Sequence, residues 1–171
     1  MKFSDDELKQ FAYESNMIER ILDEQSASEH YHALKILLSV DEMSINALKN
    51  FVRVIQPDAK LRELPSDRVW IGGHEAPSGP VAYTAITKLI ELVNNNQEDA
   101  WTTHKLYESI HPFLDGNGRS GRALFLWQIS YNDERYYPSL SFLHNVYYRE
   151  LSQQRDDPGN RLKALKKSLG V

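Results

Sequence analysis

Residues 111–122 read HPFLDGNGRSGR, and this stretch decides more of the fold than any other part of the chain. It brings together a histidine, a carboxylate, an amide, glycines at 116, 118 and 121, and arginines at 119 and 122. The run that follows, ALFLWQISY from Ala123 to Tyr131, is apolar on nearly every side at helical spacing, which predicts a central, buried helix from about Arg119. On the other side, Pro112 must close the helix read over 99–110, because the residue before a proline avoids the helical region. Residues 111–118 are therefore expected as a loop delivering its chemistry to a helix N-terminus.

Such a helix end favours anions, because its first N–H groups lack intrahelical partners and the macrodipole is positive there. Gly116 and Gly118 are expected to let the main chain come close by tolerating positive φ. Arg119 and Arg122 add fixed charge. Three residues apart on the first turn, they point so that one can grip a phosphate while the other meets a neighbouring element. Asp115 is a hard oxygen ligand, and magnesium usually takes one or two carboxylates together with substrate phosphates and water. His111 has the one side chain here whose ordinary pKa lies near neutrality, as a base taking a proton from a hydroxyl requires.

Other motifs fit these residues badly. Gly116, Gly118 and Gly121 satisfy G-x-G-x-x-G, but a dinucleotide fingerprint follows a strand and this segment follows a helix. A calcium loop begun at Asp115 would place Arg119 at a ligand position, Ser120 where glycine belongs and Leu126 in place of the closing glutamate. No Walker-type G-x-x-x-x-G-K-[ST] run occurs.

Moving outward, the punctuation predicts further helices. Ser4 and Glu7 form a capping box flanked by Phe3 and Leu8, and the stripe Leu8, Phe11, Ile18, Leu22 carries a first helix from about 5 to 24. Ser26 with Glu29 repeats the signature, Ser44 opens a third run that Pro57 ends, and Pro80 suits the first turn of a helix reaching Asn94. That helix is given an inner stripe of Tyr83, Ile86, Leu89, Ile90 and Val93. Between them, residues 57–80 hold four of the seven prolines, and VWIGG, Val69 to Gly73, reads as a small strand or hairpin. Ser139 to Leu151 and Asn160 to Leu169 are read as two last helices, the second with a basic, solvated face formed by Arg161, Lys163, Lys166 and Lys167. His30 and His32, two apart, fall on different faces and make no metal pair; His74 and His104 are read as surface or satisfied residues. The fold class is all-α with a minor β-hairpin.

At 171 residues the chain is sized for one domain. Lys plus Arg is 20 and Asp plus Glu 24, a net −4, which argues against a nucleic-acid partner held by phosphate neutralisation. With no cysteine there is no disulfide, thiolate nucleophile or Cys-ligated zinc. No apolar run approaches the roughly 20 residues that span a bilayer, and MKFSDDELKQ lacks a secretory pattern, so no membrane and a cytoplasmic location are expected.

The string from His111 to Arg122 resembles the signature of the Fic family, H-[PX]-F-x-[DE]-G-N-G-R-x-x-R, with His111, Phe113, Asp115, Gly116, Asn117, Gly118, Arg119 and Arg122 all in place. The resemblance implies a Fic-type helical bundle with a β-hairpin flap at 67–79, the signature at 111–122, and a single domain over 1–171. It implies a protein adenylyltransferase that moves AMP from ATP to a Ser, Thr or Tyr hydroxyl of a target protein, the chain itself included, with magnesium. His111 would be the base, Asp115 the metal ligand, and Gly116, Asn117, Gly118 and Arg119 the phosphate cradle, with Arg122 on the γ-phosphate and Phe113 anchoring the loop. Val69, Trp70, Ile71, Gly72 and Gly73 would hold an extended target segment by backbone pairing. A second resemblance lies in the first helix: Ser15 to Arg20, SNMIER, is similar to the family's inhibitory motif [ST]-x-x-x-E-[GN], with Arg20 departing at the last place. It makes residues 1–25 an inhibitory helix whose Glu19 pairs with Arg122 and takes the space of the γ-phosphate. The same fold could instead remove AMP, transfer a phosphate, or serve as a silent regulatory binding module.

Overall fold

The computed structural model describes residues 3–132 together with Lys167. The two last helices read from the sequence lie outside the described residues, save Lys167, which is helical and exposed. Helix α1, Asp5–Ile18, starts where the capping box predicts: the Ser4 hydroxyl accepts from the Glu7 N–H, and the Glu7 carboxylate accepts from the Ser4 N–H at 2.7 Å. Leu8, Phe11 and Ala12 bury its inner face.

The helix ends at Ile18, not near residue 24, and Leu22 is exposed. The chain turns there through a Schellman closure: the Arg20 N–H donates to Met17 O at 2.9 Å and the Ile21 N–H to Asn16 O at 3.0 Å. This closure demands a left-handed residue, and Arg20 supplies it with φ 62°. A side chain with Cβ is strained in that region by about 1–2 kcal/mol. Arg20→Gly should therefore raise the unfolding free energy by about 1 kcal/mol, read as a higher urea midpoint at unchanged slope. A lower midpoint would show that the arginine side chain earns its strained backbone elsewhere.

Helix α2, Glu24–Leu38, is capped by the Asp23 side chain on the Ser26 N–H at 2.7 Å, which corrects the expected Ser26 cap. Aspartate caps as well as serine does, and by starting the helix three residues earlier it takes the Ser26 N–H, which would otherwise be orphaned. Helix α3, Ile45–Ile55, is capped by Ser44 as read and stops one residue short of Pro57, with Gln56 between. Strands β1, Trp70–Ile71, and β2, His74–Glu75, pair antiparallel across Gly72 and Gly73, whose φ values of 54° and 88° make the two-residue turn a primed type. Helix α4, Gly79–Asn94, carries Pro80 in its first turn. Its inner stripe holds Ile86, Leu89, Ile90 and Val93, whereas Tyr83 is 41% exposed and turns outward.

Helix α5, Ala100–Ile110, is capped by Asp99, and helix α6, Asn117–Asn132, follows the signature loop. As expected, α6 is central: it packs against α1, α2, α3 and α5, and every residue from Arg119 to Ile129 is buried. It begins two residues earlier than expected, at Asn117. The fold is all-α with one small hairpin, and no helix among the described residues is long and apolar enough to cross a membrane.

Two buried histidines tie this packing to pH. His30 on α2 bonds Asn16 on α1 through Nδ1 at 2.8 Å, and burial, reinforced by the Arg122 and Arg119 cations, lowers its pKa from 6.5 to about 3. His104 on α5 is lowered to about 3 by burial and then by Arg122, against the pull of the Gly121 backbone. Both groups take up protons in the unfolded chain near pH 6.5 but not in the folded one, so stability falls as pH drops from about 6.5 toward 3. The urea midpoint should decline steadily between about pH 7 and pH 4, less steeply in His30→Gln; a flat midpoint would rule this out.

Candidate functional site

Phe113 is buried and its peptide is gripped on both sides by the Asn117 amide, which accepts from Phe113 N–H and donates to Phe113 O, each at 2.8 Å. This clamp explains why α6 starts at Asn117. The loop folds back onto its own helix, and Gly116 makes the bend with φ 78°. Gly118, by contrast, lies within the helix, so its expected positive φ is not what the fold uses. Its missing side chain serves another purpose: a Cβ there would come within 2.3 Å of Glu19 Oε1.

His111 closes α5 in a left-handed conformation, φ 51° and ψ 63°. Its Nδ1 lies 3.1 Å from Glu108 O. A carbonyl can only accept, so Nδ1 carries the proton and Nε2 keeps its lone pair. Burial holds the imidazole below its ordinary pKa, with the Arg62 cation adding to the effect and the Glu108 carbonyl, Glu19 and Asp115 opposing it. Asp115 is exposed, and one carboxylate oxygen is fixed by the Gly116 N–H at 2.6 Å.

Both arginines meet neighbouring elements, where the sequence reading gave only one of them such a partner. Arg119 donates to Ile55 O and to Gln56 Oε1, both at 2.9 Å, at the negative end of α3. Arg122, buried to 1%, donates through Nε to the Ser15 hydroxyl at 2.9 Å, and through Nη2 to Ser15 O at 3.0 Å and Glu19 Oε1 at 2.8 Å. The Schellman closure of α1 presents Glu19 at that point. Ser15 is buried, while the Glu19 side chain is 38% exposed and faces the cleft.

That cleft has a volume of about 630 Å³. His111, Asp115, Gly116, Asn117, Gly118, Arg119, Arg122 and Glu19 line it from one side, and Val69, Trp70, Ile71 and Gly72 of the hairpin from the other. Gly73, at the tip, does not line it. The hairpin is not a core strand: Trp70 is 57% exposed and stacks under Arg68, which pairs with Glu75. Gln56, Glu108 and Leu114 also line the cleft. Leu114 fills an unspecified place of the signature, Glu108 lies one helical turn before His111, and Gln56 carries no motif and is brought there by the end of α3.

Among the described residues no group of three His, Cys, Asp or Glu side chains could hold a metal. Asp115 therefore offers a cation one carboxylate. That donor set fits magnesium, which completes its shell with phosphate oxygens and water, better than a metal needing an all-protein cage. His32 bonds Ser28 O on the surface and His74 is exposed in the flap, so neither belongs to the site.

The model of the Fic/DOC family matches residues 43–129, half of the chain. This span holds the flap and the whole signature, and leaves α1 and α2 outside. No curated protein matches the chain at a significant level.

Proposed function

The chain belongs to the Fic/DOC family, and from that premise we propose that it is a protein adenylyltransferase, transferring AMP from ATP to a Ser, Thr or Tyr hydroxyl of a target protein and restrained by its own Glu19. The observation that carries the reading is the His111 geometry: Nδ1–H is committed to Glu108 O, leaving Nε2 as a lone-pair acceptor in a cleft closed by the N-terminus of α6. In the reaction, the target hydroxyl oxygen bonds to the α-phosphorus and the bond to pyrophosphate breaks. The hydroxyl proton passes to Nε2.

The N–H groups of the first turn of α6 and the Arg119 and Arg122 cations favour the triphosphate. The Asn117 side chain is spent on Phe113, so its own contribution to that cradle is its main chain. Asp115 would hold magnesium, which neutralises phosphate charge when bound. The flap offers its edge to an extended target segment. In the restrained state Arg122 is withdrawn onto Ser15 and Glu19, and the Glu19 carboxylate fills the space beside Gly118. A triphosphate misplaced by this crowding cannot present its α-phosphorus in line.

Labelled nucleotide tests the reading. Protein incubated with ATP should acquire label from the α position and none from the γ position. Label from the γ position would instead identify phosphotransfer, and label lost from pre-modified protein would identify AMP removal.

A further inference from the structure

Arg62 is wholly buried, yet no carboxylate among the described residues bonds its guanidinium. Its donors go to four main-chain carbonyls: Nε to Asp67 O at 3.0 Å, Nη1 to His111 O at 2.7 Å and Ile110 O at 3.4 Å, and Nη2 to Pro77 O. Asp67 and Pro77 are the two roots of the flap, one on each side of the β1–β2 hairpin. Ile110 and His111 form the end of α5 that carries the imidazole. The main chain of the same segment runs beside the signature loop, with the Arg62 N–H donating to Pro112 O at 2.8 Å and the Leu114 N–H to Lys60 O at 2.9 Å.

We infer that Arg62 is a positioning residue which joins the flap to the histidine, so that the placing of a target segment and the aim of the imidazole are set by one side chain. The inference rests on the proposed role of His111 as base. Its physical basis is the planar fork of arginine, which can satisfy several carbonyls in fixed directions where the point charge of lysine cannot. The bond to His111 O matters most. It holds that carbonyl in a left-handed conformation, which a histidine adopts only when its surroundings over-determine it. The direction of the Cα–Cβ bond, and with it the ring, follows from that backbone. A shift at either flap root moves the guanidinium, and the guanidinium moves His111.

The test uses the full chain with Glu19→Gly as parent, comparing Arg62→Lys and Arg62→Met after melting curves establish folding. With α-labelled ATP, kcat should fall by up to about a hundredfold in Arg62→Met and less in Arg62→Lys, the loss expected for roughly 1 Å of misplacement. KM for ATP should stay within about twofold, because the phosphates are held by α6. Two readouts are independent of turnover: hydrogen exchange at the Ala76 N–H, which bonds Val69 O across the flap, and the ring resonances of His111. Both should change together in the Arg62 variants. If Arg62→Met does not fold, Arg68→Ala carries the test from the other end, since it loosens only exposed contacts of the flap, the pair with Glu75 and the stacking on Trp70. Faster flap exchange with unmoved His111 resonances would overturn the inference, as would Arg62 variants that label at the parental rate. Should the Glu19→Gly parent itself transfer no α label, the transferase reading fails, while the paired exchange and resonance measurements still judge the coupling.

Discussion

Replacing Glu19 with glycine should raise the transfer of label from α-labelled ATP to protein by about ten- to a hundredfold. The range follows from the contact that is lost. Arg122 is almost fully buried, and Glu19 bonds it at 2.8 Å between Nη2 and Oε1. A hydrogen bond to a charged group is worth about 1.5–3 kcal/mol, and each 1.4 kcal/mol is a factor of ten. Glycine also empties the space that the carboxylate takes beside Gly118, where even a Cβ would not fit. Ser15→Ala should release less, because it removes only the bond from Arg122 Nε and leaves the carboxylate in place. Equal labelling by wild type and Glu19→Gly would sink the restraint while leaving the transfer chemistry standing.

The second large effect is expected at His111. In the Glu19→Gly background, His111→Ala should lower transfer by about a hundred- to ten-thousandfold, the usual contribution of a positioned base. His111→Asn is the better control for folding, because asparagine tolerates the left-handed backbone that alanine resists. Both variants should bind ATP as the parent does. An active His111→Asn would show that the proton leaves the hydroxyl by another route. Because burial holds the imidazole below its ordinary pKa, the lone pair persists to lower pH than for a free histidine. The acidic limb of the rate profile should therefore lie below about pH 6.5.

How legible these features were in the sequence depended on how local their causes are. Ser4 with Glu7, Ser44, Pro57, Pro80 and Asp99 act within one turn of chain, and the helix ends they announce lie where they were read. The signature stretch could be read in full because its chemistry is consecutive. The pairing of Glu19 with Arg122 bridges 103 positions, and it could be anticipated only through the family resemblance.

Where the structure departs from the sequence pattern, the reasons are physical too. Helix α1 was read too long because its stop residue is Arg20, an arginine doing what glycine or asparagine usually does. Asp23 displaced Ser26 as a cap because it caps equally well and opens the helix three residues sooner, leaving Ser26 inside the first turn. Gly118 looked like a loop glycine because nothing nearby in sequence reveals the carboxylate packed over it. Arg62 gave no signal at all: its four carbonyl partners converge only when the flap roots and the end of α5 have folded together.

The strained torsion at Arg20 bears on how the restraint lets go. Leu8 and Phe11 each contribute about 1.5–3 kcal/mol of buried area to α1, so detaching the whole helix would be costly. Fraying its final turn forfeits none of that burial and relieves the unfavourable arginine backbone. The carboxylate can thus swing away while the helix stays docked, as in any low-stability end of a well-packed element. A residue that does not line the cleft would in this way set the idling rate of the proposed transferase, and warming would lift that rate faster than the chemistry alone.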